Sequence, residues 1–153
     1  MAKETSKKAG QEKLTVLFLC TGNSCRSQMA EGWARALKSN LIEPYSAGIE
    51  PKGLDPLAVR SMAEAGLDIS GHWSKHVDDL VSGQFDYIIT VCDHAHEHCP
   101  VFPGRSAVIH KGFDDPPRLA ASSADETAAL DFYIRVRDEI KAFIDTIPEA
   151  LTR

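Results

Sequence analysis

The feature that most constrains the fold is an apolar segment near the start of the chain that leads directly into a helical pattern. Residues 14–19 (LTVLFL) form an apolar run, which is typical of a strand buried in a parallel sheet. Beyond a short polar loop, Met29, Trp33 and Leu37 recur at every fourth position, as on one face of a helix. A strand that passes into a helix predicts a βαβ unit and therefore a parallel sheet.

Three further strands are predicted, at residues 44–49, 87–91 and 106–110. Their alternation with helices predicts an α/β fold with a parallel sheet and right-handed crossovers. Sites in such sheets lie at the carboxyl ends of the strands. Cys20 follows the first strand and Cys92 the third, so we expect the two thiols to face one another at one edge of the sheet.

Two further helices have clear sequence limits. One is predicted to begin at Asp55-Pro56 and to stop at Gly66. The last begins at about Asp125 and ends at Pro148. Its predicted apolar face consists of Phe132, Val136, Ile140, Phe143 and Ile147.

The length of the chain fits one compact domain. The chain has 153 residues, and we assign residues 14–153 to a single catalytic domain. Residues 1–13 are polar and lysine-rich, without the apolar centre of a secretion signal, and are predicted to form a disordered tail. No apolar run reaches the ~20 residues that span a bilayer. We therefore expect a cytoplasmic protein with no membrane partner.

The charge and the cysteines narrow the chemistry. A net charge of −5 argues against a nucleic-acid partner, although one local positive site can still bind an anion. The four cysteines are Cys20, Cys25, Cys92 and Cys99. Structural disulfides are rare in the cytoplasm, so these are inert core residues, metal ligands or redox groups.

The loop after the first strand has the form Cys, five residues, Arg. Five residues can curl around a small anion so that backbone N–H groups point inward, and the next helix adds its N-terminal donors. Arg26 can bind two oxygens, and the positive loop favours a reactive thiolate at Cys20. The predicted anion-binding residues are Thr21, Gly22, Asn23, Ser24, Cys25, Arg26 and Ser27.

A plainer interpretation is a buried strand-end cysteine followed by an ordinary turn. The position of the loop between an apolar strand and an amphipathic helix favours the anion-binding interpretation. Cys25 is predicted to lie in the loop wall without an essential role.

Residues 92–99 (CDHAHEHC) admit three interpretations. Cys92 and Cys99 are a redox pair, or they join the histidines in a metal site, or the segment is a solvated polar helix. If the chain catalyses a two-electron reduction, Cys20 supplies only one sulfur, and a redox pair here would supply the second thiol.

Asp114 and Asp115 are the candidate general acids. They lie in the run Phe-Asp-Asp-Pro-Pro, a rigid segment suited to holding a carboxylic acid over a strand end. The alternative is that both are ordinary turn residues.

Residues 18–33 (FLCTGNSCRSQMAEGW) resemble the signature of thioredoxin-coupled arsenate reductases, which share the low-molecular-weight tyrosine phosphatase fold. Further matches are residues 45–49 (YSAGI), Cys92 with Cys99-Pro100, and residues 112–116 (GFDDP). The similarity extends over about residues 14–147. Gln28 stands where the phosphatases usually carry proline.

The resemblance implies a three-layer sandwich with a central four-stranded parallel sheet flanked by helices. It also implies that Cys20 attacks arsenate, that Asp114 protonates the departing oxygen, and that Cys92 and Cys99 relay electrons to thioredoxin. Phosphate and sulfate would compete for the loop. No metal or organic cofactor is implied, and we expect a monomer.

Two other functions stay open. A low-molecular-weight protein tyrosine phosphatase would need only Cys20, Arg26 and Asp114. Such phosphatases usually carry aromatic residues after the Asp-Pro pair, where this chain has Pro117, Arg118 and Leu119. The other function is a non-enzymatic metal or redox sensor built on residues 92–99.

One position departs from the family pattern. In potassium-stimulated members, an acidic residue joins counterparts of Asn23, Glu31 and Ser46 in holding the ion. This chain has Lys75 at that position. We hypothesise that the Lys75 ammonium takes the place of the ion beside Glu31 and so organises Asn23 without potassium.

Overall fold

Four short strands form one parallel sheet at the centre of the molecule. The computed structural model describes residues 13–102, 104 and 106–151, so the predicted tail lies outside the described residues except for Lys13. The strands are β1 (Leu14–Cys20), β2 (Ile42–Gly48), β3 (Tyr87–Thr90) and β4 (Ala107–His110). Their order in the sheet is β2-β1-β3-β4, with every neighbouring pair parallel.

The central position of β1 explains its sequence. Val16, Leu17, Phe18 and Leu19 are fully buried, because β1 has a strand on each side and helices over both faces. A strand covered in this way needs apolar side chains in every position rather than in alternate ones. β4 is an edge strand and is largely exposed.

Helices connect and cover the strands. They are α1 (Arg26–Leu37), α2 (Pro56–Glu64), α3 (Asp93–Glu97), α4 (Pro116–Ala120) and α5 (Glu126–Asp145), with short 3-10 turns at Val77–Asp79 and Glu149–Leu151. α1 packs against β2 and α5, and α5 also packs against α2 and α4. The predicted α/β fold, with a four-stranded parallel sheet flanked by helices, is confirmed. In the described part of the chain, no helix combines the length and apolarity that a membrane span requires.

Two local predictions need correction. The buried face of α5 contains Tyr133 and Ile144, whereas the predicted Phe132 and Phe143 are only partly buried. The predicted Val136, Ile140 and Ile147 are fully buried. Tyr133 and Ile144 lie about 100° further around the helix than the two phenylalanines, so the buried face is wider than predicted. The run of prolines after Asp115 is not a simple turn, because it begins the short helix α4 with proline in the first turn.

Candidate active site

The predicted anion-binding loop occupies the gap between β1 and α1. β1 ends at Cys20 and α1 begins at Arg26, so residues 21–25 lie between a strand end and a helix N-terminus. Asn23 has a φ of 47°, a left-handed conformation that asparagine tolerates better than most residues. The chain bends at this residue inside the loop.

The backbone carbonyls of the loop face outward into hydrogen bonds. The carbonyls of Cys20, Thr21, Gly22 and Ser24 accept from the N–H groups of Ile49, Glu50, Lys52 and Asp55, respectively. The Asn23 carbonyl accepts from Gln28 Nε2 at 3.0 Å and from Ser74 Oγ at 2.7 Å. With the carbonyls bound outside, the N–H groups are free to face the concave side, as an anion nest requires.

Gly48 allows β2 to approach the loop closely. A Cβ at this position would lie 2.7 Å from the Asn23 nitrogen and 2.8 Å from the Thr21 carbonyl oxygen. Both atoms belong to the backbone and cannot move aside. Any larger residue at position 48 would therefore displace the loop.

A directed chain of hydrogen bonds ends on the Cys20 sulfur. The Lys75 backbone N–H donates to Asn23 Oδ1 at 2.8 Å, and Asn23 Nδ2 donates to Ser27 Oγ at 2.7 Å. Ser27 Oγ lies 2.8 Å from Cys20 Sγ, and the Asn23 N–H donates to the same sulfur at 3.1 Å. Because Ser27 accepts from the amide, its own proton is free to point at Cys20. Two hydrogen-bond donors can therefore converge on the Cys20 sulfur.

Arg26 is held over the loop by the segment that follows β4. Its Nη1 donates to the Phe113 carbonyl at 3.0 Å, and its Nη2 lies 3.7 Å from Asp115 Oδ2. The Arg26 side chain is only 11% exposed. The guanidinium is thus oriented before any anion binds.

The structure favours Asp115, rather than the predicted Asp114, as the acid. Asp115 lines the pocket that contains Cys20 and also the adjoining cleft that contains Cys92. Asp114 lines only the cleft, its side chain is 62% exposed, and its Oδ2 accepts from Arg135 at 3.2 Å. Arg135, on α5, thus binds the Asp114 carboxylate, and the identity of the general acid stays a prediction, with Asp115 as the candidate that the pocket favours.

Cys92 contacts the edge of the anion loop. Its sulfur lies 3.2 Å from Thr21 Oγ1 and accepts from the Ala95 N–H at the start of α3. The Cys92 side chain lines the same cleft as Thr21 and Arg26. Cys92 thus contacts Thr21, the neighbour of Cys20, and the expectation that the two sulfurs face one another stays a prediction.

The remaining two cysteines have different surroundings. Cys99 is partly buried just beyond α3, and burial raises the pKa of its thiol. Cys25 is buried at the start of α1, where burial, then the nearby Asp55 carboxylate, raises its pKa well above the usual value. Cys25 lines the pocket but stays protonated, so it is suited to the loop wall and not to nucleophilic attack.

Sequence reasoning missed two cations beside the loop. Lys52 lines the pocket with Cys20, and its aliphatic stem packs over the Cα of Gly22. Arg118 lines the cleft with Cys92. Only tertiary structure brings these residues to the site, and no motif marks either of them in the sequence.

The histidines of residues 92–99 pack against other histidine rings. His94 stacks on His98 with ring centroids 4.2 Å apart, and His96 packs against His110 at 4.5 Å. In residues 13–102, 104 and 106–151, no three His, Cys, Asp or Glu side chains are grouped closely enough to hold a metal ion. The geometry gives the metal-site interpretation no support.

The hypothesis that Lys75 binds Glu31 is wrong. The Lys75 ammonium donates to the Trp73 carbonyl at 2.8 Å and lies over the Trp73 ring. Glu31 is instead bound by Arg35 at 2.7 Å and by the Ser46 hydroxyl at 2.6 Å. The cation beside Glu31 is therefore the Arg35 guanidinium, while Lys75 contacts Asn23 through its backbone.

A Cys-x5-Arg loop at the carboxyl edge of a four-stranded parallel sheet defines a phosphatase-type α/β protein. The chain matches the low molecular weight phosphotyrosine protein phosphatase family over residues 15–152, and it belongs to that family.

Individual relatives are arsenate reductases. An arsenate reductase from Bacillus subtilis is 45% identical over 139 residues, which cover 88% of this chain and 98% of the relative. The solved structure of an arsenate reductase in the phosphate binding state matches with a TM-score of 0.70 at 28% identity, covering 91% of this chain and 99% of that one. A thioredoxin-dependent arsenate reductase from Corynebacterium glutamicum matches with a TM-score of 0.65 at 25% identity, covering 91% of this chain and 61% of that one.

Proposed function

We propose that this protein is an arsenate reductase that uses three thiols in sequence. The observation that carries the proposal is the 3.2 Å contact between Thr21 Oγ1 and Cys92 Sγ. A phosphatase needs only the loop thiol and an acid, whereas a reductase needs a second thiol at the edge of the anion site. The relatives that are named arsenate reductases support the same conclusion.

The first step forms a bond between sulfur and arsenic. The Cys20 thiolate attacks arsenate held by the loop N–H groups and by Arg26, which stabilise the charge that develops on the oxygens. Asp115 donates a proton to the departing oxygen, which leaves as water. Arsenic is still pentavalent in this adduct.

The second step is the reduction. The Cys92 thiolate attacks Cys20 Sγ, so that a sulfur–sulfur bond forms and the sulfur–arsenic bond breaks. The electron pair of that bond leaves with arsenic, which departs as trivalent arsenite. Thr21 lines both the pocket that contains Cys20 and the cleft that contains Cys92, and its hydroxyl can donate to the Cys92 thiolate.

The third step regenerates the loop thiol. Cys99 attacks Cys92, which releases Cys20 and leaves a Cys92–Cys99 disulfide. A thioredoxin-type dithiol then reduces this disulfide, as the name of the Corynebacterium glutamicum relative suggests. Because the cycle needs free thiols, we propose that the protein works in the reducing cytoplasm. We propose that the protein works as a monomer, because all the groups in the cycle come from one chain.

A coupled assay tests the proposal. Purified protein is mixed with arsenate, thioredoxin, thioredoxin reductase and NADPH, and NADPH oxidation is followed together with arsenite release. We expect oxidation that depends on arsenate and matches arsenite mole for mole. NADPH oxidation without arsenite release would reject the reductase function. Phosphatase activity in a protein that shows no arsenate-dependent NADPH oxidation would reject it as well.

Slow phosphatase activity is expected as a side reaction. Arsenate and phosphate are both tetrahedral anions, so the loop should also accept p-nitrophenyl phosphate. Phosphoryl transfer does not need Cys92, so Cys92→Ser should keep kcat/KM within about threefold while Cys20→Ser abolishes it. A Cys92→Ser protein that binds phosphate but has no phosphatase activity would contradict a shared site.

Oxidation is expected to unwind α3. Cys92 caps the start of this helix and Cys99 lies just beyond its end, and the five helical residues between them rise about 7.5 Å at 1.5 Å per residue. A disulfide tolerates a Cα separation of at most about 7 Å. We expect the oxidised protein to lose helical dichroism and amide protection at residues 93–98. Equal protection in both redox states would refute the change.

Potassium is not expected to stimulate the enzyme. Arg35 already neutralises the buried Glu31, so kcat/KM for arsenate and the melting temperature should be equal in sodium and potassium chloride. Arg35→Met should create potassium stimulation, whereas Arg60→Met, on the distant Glu126 pair, should not. Sulfate is left out because it competes for the loop. Clear stimulation of the unmodified protein would contradict the role of Arg35.

A further inference from the structure

A chain of four side chains fastens α3 to the sheet. Asp93 Oδ1, on α3, lies 3.0 Å from His110 Nε2 at the end of β4. His110 Nδ1 lies 2.8 Å from Thr90 Oγ1 at the end of β3. The same hydroxyl lies 3.1 Å from His96 Nδ1, back on α3. We call Asp93, His110, Thr90 and His96 the histidine latch.

Every bond in the latch can be satisfied at once with both rings neutral. The Asp93 carboxylate only accepts, so His110 carries its proton on Nε2. His110 Nδ1 is then an acceptor, and it takes the single proton of the Thr90 hydroxyl. The Thr90 oxygen accepts in turn from His96 Nδ1–H. The two imidazole rings pack at 4.5 Å, which adds a contact between α3 and β4.

The histidine latch joins a buried hydroxyl to an exposed carboxylate. Thr90 is fully buried, whereas the Asp93 side chain is 87% exposed. Hydrogen bonds to the buried hydroxyl therefore contribute more than the exposed hydrogen bond between His110 and Asp93, which competes with water. The other two histidines of the segment differ, because His94 and His98 stack on each other and His98 bonds the His94 carbonyl within the same segment.

We infer that His110 is a positioning residue for the cysteine relay. It fastens α3 in the reduced protein, and so keeps Cys92 at the start of that helix beside Thr21. This inference rests on the proposed relay of Cys92 and Cys99. Because α3 must open for those two sulfurs to meet, the latch stabilises the dithiol relative to the disulfide.

The histidine latch affects the reduction potential of the Cys92–Cys99 disulfide. Forming the Cys92–Cys99 bond removes two protons and two electrons from the two thiols. Arsenate takes the electrons during turnover, and glutathione disulfide can take them at equilibrium. Loss of the latch removes stabilisation from the reduced state only, so it makes the reduction potential of the disulfide more negative.

The test measures that potential in glutathione buffers, with peptide mass analysis of the Cys92–Cys99 pair. His110→Phe keeps a ring against His96 but removes both nitrogens. We expect it to shift the oxidation equilibrium about threefold to tenfold toward the disulfide, which corresponds to about 14 to 30 mV. Amide exchange at residues 93–98 of the reduced protein should become faster. His98→Gln is the matched control, and it should leave the potential and the exchange unchanged.

A second variant distinguishes the loss of the latch hydrogen bonds from a general loosening of α3. His110→Asn keeps a polar atom near the position of Nδ1, so it should bond Thr90 and recover much of the lost protection. If the unmodified protein and His110→Phe have equal reduction potentials, the latch is overturned but the relay is not. An equal shift of the potential in His98→Gln has the same consequence. Failure of the unmodified protein to form the Cys92–Cys99 disulfide overturns the relay and the latch together.

Discussion

Serine at Cys20, Cys92 or Cys99 is expected to stop multiple turnover of arsenate, whereas serine at Cys25 leaves it in place. Each of the first three sulfurs forms a covalent bond in the proposed cycle, and a hydroxyl cannot replace it. Cys25 is buried in the loop wall with a raised thiol pKa, so it takes no covalent part. Steady-state NADPH oxidation with thioredoxin and its reductase measures the four variants.

The Cys99 variant gives the sharpest result. Cys20 and Cys92 suffice for one reduction, so Cys99→Ser should release about one arsenite per chain and then stop with a Cys20–Cys92 disulfide. The trapped disulfide is identified by mass analysis of the linked peptides. Cys92→Ser should release none without an added thiol. Sustained turnover by the Cys99 variant would reject the relay, and loss of activity in a folded Cys25→Ser protein would show an unassigned role for that thiol.

Asparagine at Asp115 is expected to lower kcat/KM far more than asparagine at Asp114. Loss of a general acid costs about 10²- to 10⁴-fold in rate, and Asp115 is the carboxyl group that reaches the pocket with Cys20. Asp114 is bound to Arg135 at the outer side of the cleft, so its loss should cost less than about threefold.

Arsenate turnover and p-nitrophenyl phosphate hydrolysis should rank the two variants in the same order, because both reactions begin at Cys20. Asp115 also lies near Arg26, so phosphate binding is measured alongside to separate proton donation from anion binding. A rate loss with unchanged phosphate affinity supports the acid role. A larger loss in Asp114→Asn would restore the first assignment.

Features set by neighbouring residues in the chain could be predicted from the sequence. The apolar run before Cys20 has to be a buried strand, and the helical spacing from Met29 onward has to follow a short loop. Those two constraints alone place the cysteine and Arg26 at the edge of a parallel sheet. Asp55 was likewise predicted as a helix start, and its carboxylate does cap α2 by accepting from Leu57.

Features set by distant elements could not be predicted. Asp114 and Asp115 are adjacent and have almost the same local sequence, and only the position of Arg135 on α5 distinguishes them. Glu31 is four residues from Arg35 on α1, a spacing that permits a pair but does not require one. The opposite charges of Lys75 and Glu31 would permit a pair, but the Lys75 ammonium donates to the Trp73 carbonyl instead.

The outward hydrogen bonds of the loop have a consequence for protein engineering. The eight residues from Cys20 to Ser27 form one continuous segment that could be transferred to another protein. Their conformation, however, depends on hydrogen bonds from residues outside the segment. The loop carbonyls accept hydrogen bonds from residues 49–55, Gln28 and Ser74. Gly48 has no side chain, which leaves space for the loop beside β2. Grafted between a strand and a helix of another scaffold, the same eight residues would lack those partners and turn some carbonyls inward. A successful transplant therefore has to carry the second strand and the segment that follows it.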